Sequence, residues 1–269
     1  MFEHSYAQLV SRVLQHGELR HTRNGNTLST FNAQVVIDDL QFHQFPILRG
    51  RQMFYKGVLG ELAAMLRRHT CNGDFMEQGC RYWSKFADDD GSLRVDYGNA
   101  WFNFNGVNQI AELKRMLRED PTNRRMIISG WIPANLNKLS LPCCHLLYQF
   151  YVTNTNELHM KWYQRSVDVM IGLPSDAIFA AAWLLAICRE FGFRPGSIVM
   201  DFCDVHIYEE HFEGAQQYIG QWHEVGQYLP PAAYVYTAPA GTDFCTFTQQ
   251  DIEVINYKSC PIINFELKV

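Results

Sequence analysis

Several short stretches of this chain gather side chains that could do chemistry. Leu141-Pro142-Cys143-Cys144-His145 places two thiols and a histidine just ahead of a strand-like run. A thiolate is a strong nucleophile once nearby cations or helix dipoles lower its pKa. The same segment could equally hold two buried thiols and a surface histidine. A Cys-His dyad of adjacent residues is disfavoured, because neighbours on a strand point to opposite faces. Arg23, Arg124-Arg125 and Arg165-Ser166 put guanidinium groups near strand ends, where their forks match phosphate oxygens. Each alone could be a solvated surface charge. In Asp204-Val205-His206-Ile207-Tyr208, strand geometry turns His206 and Tyr208 to one face, to hold sugar hydroxyls or simply to pack. Glu61 lies in an otherwise apolar helical stretch, and a buried acid is costly unless paired or used.

The stretch QRSVDVMIGLPSDAIF, residues 164–179, raises a sharper question. Asp176 follows a Pro-Ser pair that reads as a helix start. With Ser175 as N-cap, Asp176 in the first turn would favour the helix dipole by roughly 0.3–1 kcal/mol. The competing reading is that Asp176 chooses a substrate.

These residues need elements to hold them. Residues 5–16 have the apolar spacing of a helix, through Tyr6, Leu9, Val10, Val13 and Leu14. Arg23-Asn24-Gly25-Asn26 signals a turn. Thr27–Phe31 and Gln34–Ile37 then read as a hairpin. Val58–Leu66 and Val107–Arg118 read as helices, with Asp88–Gly91 a loop between them. After Asp120-Pro121 the pattern changes to strands, at Arg125–Trp131, Leu146–Val152 and Leu158–Tyr163. Asp176–Phe191 reads as a long buried helix, Ser197–His206 as a strand and Glu209–Val225 as a helix. The Pro-rich piece 229–241 is a connection, Asp251–Tyr257 a late strand and Pro261–Val269 a short tail. Helices and strands mix without a βαβαβ rhythm. The expected fold is therefore α+β, a mixed sheet with packed helices, in one domain over residues 1–269.

Composition narrows the function class. The chain is 47% hydrophobic, enough for a sizeable core, and its formal net charge of −5 gives no field for nonspecific nucleic-acid binding. The start carries no basic segment followed by an apolar one, and the longest apolar run, Ala177 to Cys188, is too short to span a bilayer. No membrane partner is expected, and the location is expected to be cytoplasmic. The eight cysteines form no zinc-type spacing, and no metal is expected.

Taken together, the motifs resemble the thymidylate synthase superfamily over essentially the whole chain, from about residue 5 to Val269. Cys143-Cys144-His145 followed by Gln149-Phe150-Tyr151-Val152 matches the nucleophile motif. Gln164–Asp168 matches the family's Gln-Arg-Ser-x-Asp signature, and Gly172-Leu173-Pro174 follows it. Asp204–Tyr208 matches Asp-x-His-x-Tyr, and Arg124-Arg125 the paired arginines. Tyr97-Gly98-Asn99-Ala100-Trp101 and the upstream Trp83 match as well. The resemblance implies Cys144 as the nucleophile at C6 of a pyrimidine nucleoside monophosphate. It implies phosphate contacts from Arg165, Ser166 and Arg23, and 3′-hydroxyl contacts from His206 and Tyr208. Gln164 belongs to the same substrate-binding set. Glu61 would order water and move protons. The second substrate would be 5,10-methylenetetrahydrofolate, met by Arg51, Trp83, Asp168, Gly172 and the tail ending at Val269. The resemblance also implies a homodimer built on the sheet, with Arg124 and Arg125 reaching the neighbouring subunit's phosphate.

Departures from the family pattern carry the specificity. Cys143 replaces a proline, Cys203 a glycine, Arg51 a lysine, and the loop after Arg23 is altered. The largest departure is Ser175-Asp176, where thymidylate synthases have Phe-Asn and the Asn reads N3 and O4 of uracil. Cytosine presents an acceptor at N3 and donors at its 4-amino group, so a carboxyl there should select cytosine. The deoxycytidylate hydroxymethylases of this superfamily carry Asp at this position. The expected reaction is therefore hydroxymethylation of dCMP at C5. Reductive methylation of dCMP or dUMP stays open, as does a catalytically silent relative that binds nucleotide or RNA.

Overall fold

Alternating side chains on the strands decide the architecture. In Arg194–Tyr208 the residues Ile198, Met200 and Phe202 are buried, while Val199, Asp201 and Cys203 between them are partly exposed. One sheet face is thus core and the other lies open. A computed structural model describes residues 1–268, and Val269 lies outside the described residues.

The chain begins with helix α1 (Phe2–His16), then strands β1 (Glu18–Thr22) and β2 (Gly25–Ile37). Helices α2 (Tyr55–Leu66), α3 (Asn72–Glu77), α4 (Asn99–Phe102) and α5 (Gln109–Glu119) follow. Next come β3 (Ile127–Ser129), β4 (His145–Val152), β5 (Glu157–Asp168), helix α6 (Gly172–Phe191) and β6 (Arg194–Tyr208). Helix α7 (Phe212–Glu224) and a two-stranded ribbon of β7 (Ala233–Tyr236) and β8 (Ile252–Ile255) complete it. The main sheet has six strands in the order β1-β2-β6-β5-β4-β3. Only β5 and β6 pair in parallel, joined by the crossover helix α6. The fold is α+β with a mixed sheet and packed helices.

The expected hairpin within 27–37 is one continuous strand. Asn32 takes a left-handed conformation (φ 61°), yet the pairing with β6 keeps its register from Thr27↔Tyr208 to Ile37↔Ile198. The hairpin is instead β1 with β2, turning at Arg23-Asn24. The 125–131 strand shortens to β3, and the 229–241 connection contains β7.

Helix α6 is long and apolar enough to cross a membrane by length and composition. Its side chains from Ala177 to Cys188 are instead buried in the core. It stops at Gly192, whose left-handed φ of 76° suits a residue without Cβ, and whose N–H donates to the Cys188 carbonyl. Around α6 packs an aromatic cluster in which Trp101 stacks on Trp183 at 4.4 Å. A buried ion pair joins α1 to the next segment: Glu3 accepts from Arg49 Nε at 3.1 Å and from the N–H groups of Arg49 and Gly50 at 2.7 and 2.8 Å.

Candidate active site

Strand register gathers the motif residues at one end of the sheet. Ser166 pairs with Asp204, Asp168 with His206, and His206 with Ser29; Gln164 lies beside His145 on the next strand. The β1–β2 turn leans over this end. There Thr22, Arg23, Asn24, Thr27, Ser166, Asp204, His206 and Tyr208 line a cavity of about 220 Å³. Asp204 Oδ1 pairs with His206 Nδ1 at 2.8 Å, and Arg20 donates to Asp204 Oδ2 at 2.6 Å. Those contacts hold Asp204 below the usual carboxylate pKa, the His206 hydrogen bond contributing most. They also fix the imidazole toward the cavity wall. Burial raises the Tyr208 hydroxyl pKa, and the charge of Asp168 adds to it.

Cys144 lies one residue ahead of β4 and is partly exposed, whereas Cys143 is buried. Cys144 is held from three sides. Its carbonyl accepts from Arg165 N–H at 3.0 Å, and its own N–H donates to the Tyr97 hydroxyl oxygen. Arg165 donates through Nε to the Cys143 carbonyl at 2.7 Å and through a terminal nitrogen to the Pro142 carbonyl at 2.9 Å. The same terminal nitrogen stands 3.7 Å from Cys144 Sγ. Burial pushes the Cys144 thiol pKa up; Arg165 and the Tyr97 hydroxyl pull it down, while Asp176 and Asp168 push it up again. Arg165 is thus drawn to Cys144 and is not among the residues lining the cavity where Ser166 and Arg23 meet.

His145 takes no part in activating the thiol. It is buried among Tyr97, Trp162 and Phe179, its Nδ1 shares a proton with the Tyr148 hydroxyl, and burial pushes its pKa down to about 3. It stays neutral at any pH where the protein works.

Asp176 departs from the helix-start expectation. Helix α6 begins at Gly172, so Asp176 sits in its second turn, and no acid occupies the first. Ser175 does not cap; its hydroxyl donates back to the Ile171 carbonyl at 2.9 Å. The start is held instead by Asp168, whose Oδ1 accepts from the N–H groups of Met170 and Ile171 at 2.8 and 3.2 Å. Gln164, itself 1% exposed, donates to Asp176 Oδ2 at 2.8 Å, and its own Oε1 has no partner. Burial raises the Asp176 pKa well above the carboxylate range. The Gln164 bond opposes this, and the charges of Glu61 and Asp168 reinforce it.

Glu61 completes the group from helix α2. Trp83 Nε1 donates to its Oε1 and the Tyr82 hydroxyl to its Oε2, both at 2.6 Å. Burial lifts its pKa to about 7, against the pull of those two donors. The short 82–86 turn reaches α2 because residue 60 is glycine: a Cβ there would meet the Gln78 carbonyl oxygen at 2.2 Å.

The folate-side residues are less open. Trp83 is 4% exposed. Arg51 is buried; it donates to the Met170 carbonyl and stacks its guanidinium 5.1 Å from the Phe265 ring of the tail, leaving Nε without a partner. Gly172 lies against Asp168 and Asp176. Arg124 and Arg125 are exposed in the turn before β3, at the opposite sheet edge from the cavity, and their guanidinium groups make no hydrogen bond within the described residues. The single chain does not bring them to the site.

A thiol, a cation beside it, two carboxyls of raised pKa and a polar cavity suit addition to a nucleotide base. The thymidylate synthase family model matches residues 4–269. The chain belongs to the thymidylate synthase family. A thymidylate synthase-type enzyme transfers one carbon from methylenetetrahydrofolate to C5 of a pyrimidine nucleotide, and that one-carbon transfer is the chemistry of this chain. The residue types left Cys144, Arg165 and Asp176 open between two readings each, and the family resemblance singled them out. Tyr82 and Tyr97, which bond to Glu61 and to the Cys144 N–H, went unassigned. Tyr97 stood within a matched motif, and Tyr82's only signal was its place beside Trp83.

Proposed function

We propose that this thymidylate synthase relative acts on cytosine, converting dCMP, methylenetetrahydrofolate and water to 5-hydroxymethyl-dCMP and tetrahydrofolate. The observation that carries the reading is the Asp176 carboxyl, biased to its acid form and fixed by Gln164. Gln164 donates to Oδ2, so the acid proton belongs on Oδ1. Cytosine complements that arrangement: N3 accepts from Oδ1–H and the 4-amino group donates to Oδ2. Uracil in the same pose sets its N3–H against a second donor, and a mismatched buried bond costs about 1–3 kcal/mol.

The residues then divide the labour. Arg23 and Ser166 meet the 5′-phosphate, and His206 and Tyr208 the deoxyribose. Arg165 and Tyr97 favour the Cys144 thiolate, which adds to C6 while Asp176 shares its proton with N3 as negative charge builds in the ring. Methylenetetrahydrofolate, lying along Trp83 and the tail, supplies the one-carbon unit. Glu61, with its pKa about 7, moves protons at C5 and activates water. A homodimer on the open sheet face fits this reading. That face carries exposed Val36 and Tyr151, and Arg124 and Arg125 are free to reach a neighbour's phosphate.

The test is incubation with methylenetetrahydrofolate and equimolar dCMP, dUMP and CMP, with products identified by mass. A dCMP product heavier by CH2O is expected. A product heavier by CH2 moves the enzyme to the methylating branch, and reaction of dUMP alone refutes the cytosine reading.

A further inference from the structure

Glu61 is held by two donors of different kinds. Trp83 is buried and its indole nitrogen can only donate. Tyr82 is 37% exposed, and its hydroxyl oxygen keeps lone pairs after donating to Oε2. A water resting on this side of the cleft can therefore donate one proton to the Tyr82 oxygen and the other to a Glu61 oxygen. Burial, with the charges of Glu61 and Cys80, raises the Tyr82 pKa well above the phenol range, so the hydroxyl stays a donor to the carboxylate at every working pH. The titratable groups facing Glu61 are Tyr82 and Cys80 from the 80–86 segment and Asp176 from α6.

We propose that Tyr82 is a positioning residue that acts through Glu61. It fixes the carboxylate and, together with it, holds the water that converts the C5 exocyclic methylene to hydroxymethyl. This rests on the hydroxymethylation reading above. In that step the water oxygen bonds the methylene carbon and its proton passes to Glu61. The methylene π pair moves into the C4–C5 bond while the C4–N3 π pair moves onto N3. The N3 pair then re-forms the C4–N3 double bond, and the C4–C5 pair moves into C5–C6 and expels Cys144 Sγ from C6 as thiolate. Atoms and electrons balance without an oxidant or reductant.

The experiment is Tyr82→Phe, which keeps the ring and removes the hydroxyl. Two readouts are followed across pH: folate-independent exchange of the C5 hydrogen of dCMP and dUMP with deuterated solvent, and the share of folate-dependent turnovers that end in hydroxymethyl product. A lost hydrogen bond to the ionised carboxylate raises the Glu61 pKa. The acid limb of the exchange rate should therefore move up by about one pH unit. The hydroxymethyl share should fall severalfold, with nucleotide KM little changed. An unmoved acid limb overturns the proposal. So does a moved limb with an unchanged hydroxymethyl share, because the water is then held elsewhere. Should wild-type protein make no hydroxymethyl product at all, the reading of the reaction fails, and the exchange limb still decides whether Tyr82 positions Glu61. Tyr82→Gln, which restores a donor to Glu61, should return the limb toward wild type.

Discussion

Replacing Asp176 by Asn removes an ionisable acid and keeps its shape. The variant should shift base preference from cytosine toward uracil. The magnitude follows from the bonds at stake. In the wild type, uracil meets two mismatches, N3–H against Oδ1–H and O4 against Oδ2, each worth about 1–3 kcal/mol. In the variant, the side-chain oxygen that faces Gln164 Nε2 is fixed, so the amide nitrogen takes the place of Oδ1 as a permanent donor. It can no longer give up a proton to N3 as charge builds in the ring, so cytosine loses acid assistance. Uracil gains only when the Gln164 amide and the introduced amide turn over together, placing an oxygen opposite N3–H and the nitrogen opposite O4. The low end of each term, about 1 kcal/mol lost and about 1 gained, moves the dUMP-to-dCMP ratio of kcat/KM by about thirtyfold. The assay is competition between the two nucleotides, read by mass. Equilibrium binding in a Cys144→Ala background separates the binding part from the catalytic part. A ratio that moves less than threefold shows that Asp176 does not select the base. Binding that shifts while turnover does not shows that Asp176 reads the base without acting as an acid.

Four other outcomes follow from the same geometry. Cys144→Ala should abolish turnover and leave nucleotide binding intact by calorimetry. Glu61→Gln should lower turnover by about 10²–10⁴-fold, the usual contribution of a positioned acid–base group, measured under saturating substrates. In the wild type, kcat/KM should rise with pH through about 7 as Glu61 loses its proton to become the base; a profile flat across that value removes Glu61 from the role. Glu3→Ala should cost about 3–5 kcal/mol of stability in a urea titration, because it strands the buried Arg49 guanidinium without its carboxylate.

Much of the fold was legible because burial imposes period. The long β6 and the apolar α6 carry their patterns openly, and both stand close to where the sequence puts them. Strand β1 was missed because all five of its residues are exposed, so nothing in Glu18–Thr22 alternates. It is a strand only because β2 pairs with it. The break read into 27–37 came from Asn32, whose turn-like chemistry is absorbed by one left-handed residue without loss of register. The start of α6 was misplaced for a related reason. Pro174-Ser175 looks like an entry, but the helix has already begun at Gly172, just after Asp168 has tied the Met170 and Ile171 N–H groups.

The site was legible as residue types and opaque as charges. Asp176 could be named from its position, yet its state depends on which groups share its cleft, and no spacing in a linear chain gives that. Glu61 comes from α2, Asp168 from the end of β5 and Asp176 from α6, and each of the first two raises the pKa of the third. Three carboxyls around one thiol cannot all ionise cheaply in a part-buried cleft. Glu61 has two side-chain donors, which oppose the effect of burial on its carboxyl. Asp176 has only the Gln164 amide, so the shared proton settles there. Had Asp176 been paired with an arginine it would be a fixed carboxylate, repelled by the N3 lone pair of cytosine. The weak partner is what leaves it an acid, and an acid is what a cytosine ring under nucleophilic attack needs at N3. Asp176→Asn with Gln164→Leu should therefore cost little more in dCMP turnover than Asp176→Asn alone, because Gln164 acts by fixing where the Asp176 proton sits and Asp176→Asn has already removed that proton. Strictly additive losses in that double-mutant cycle would show that Gln164 works on something other than Asp176.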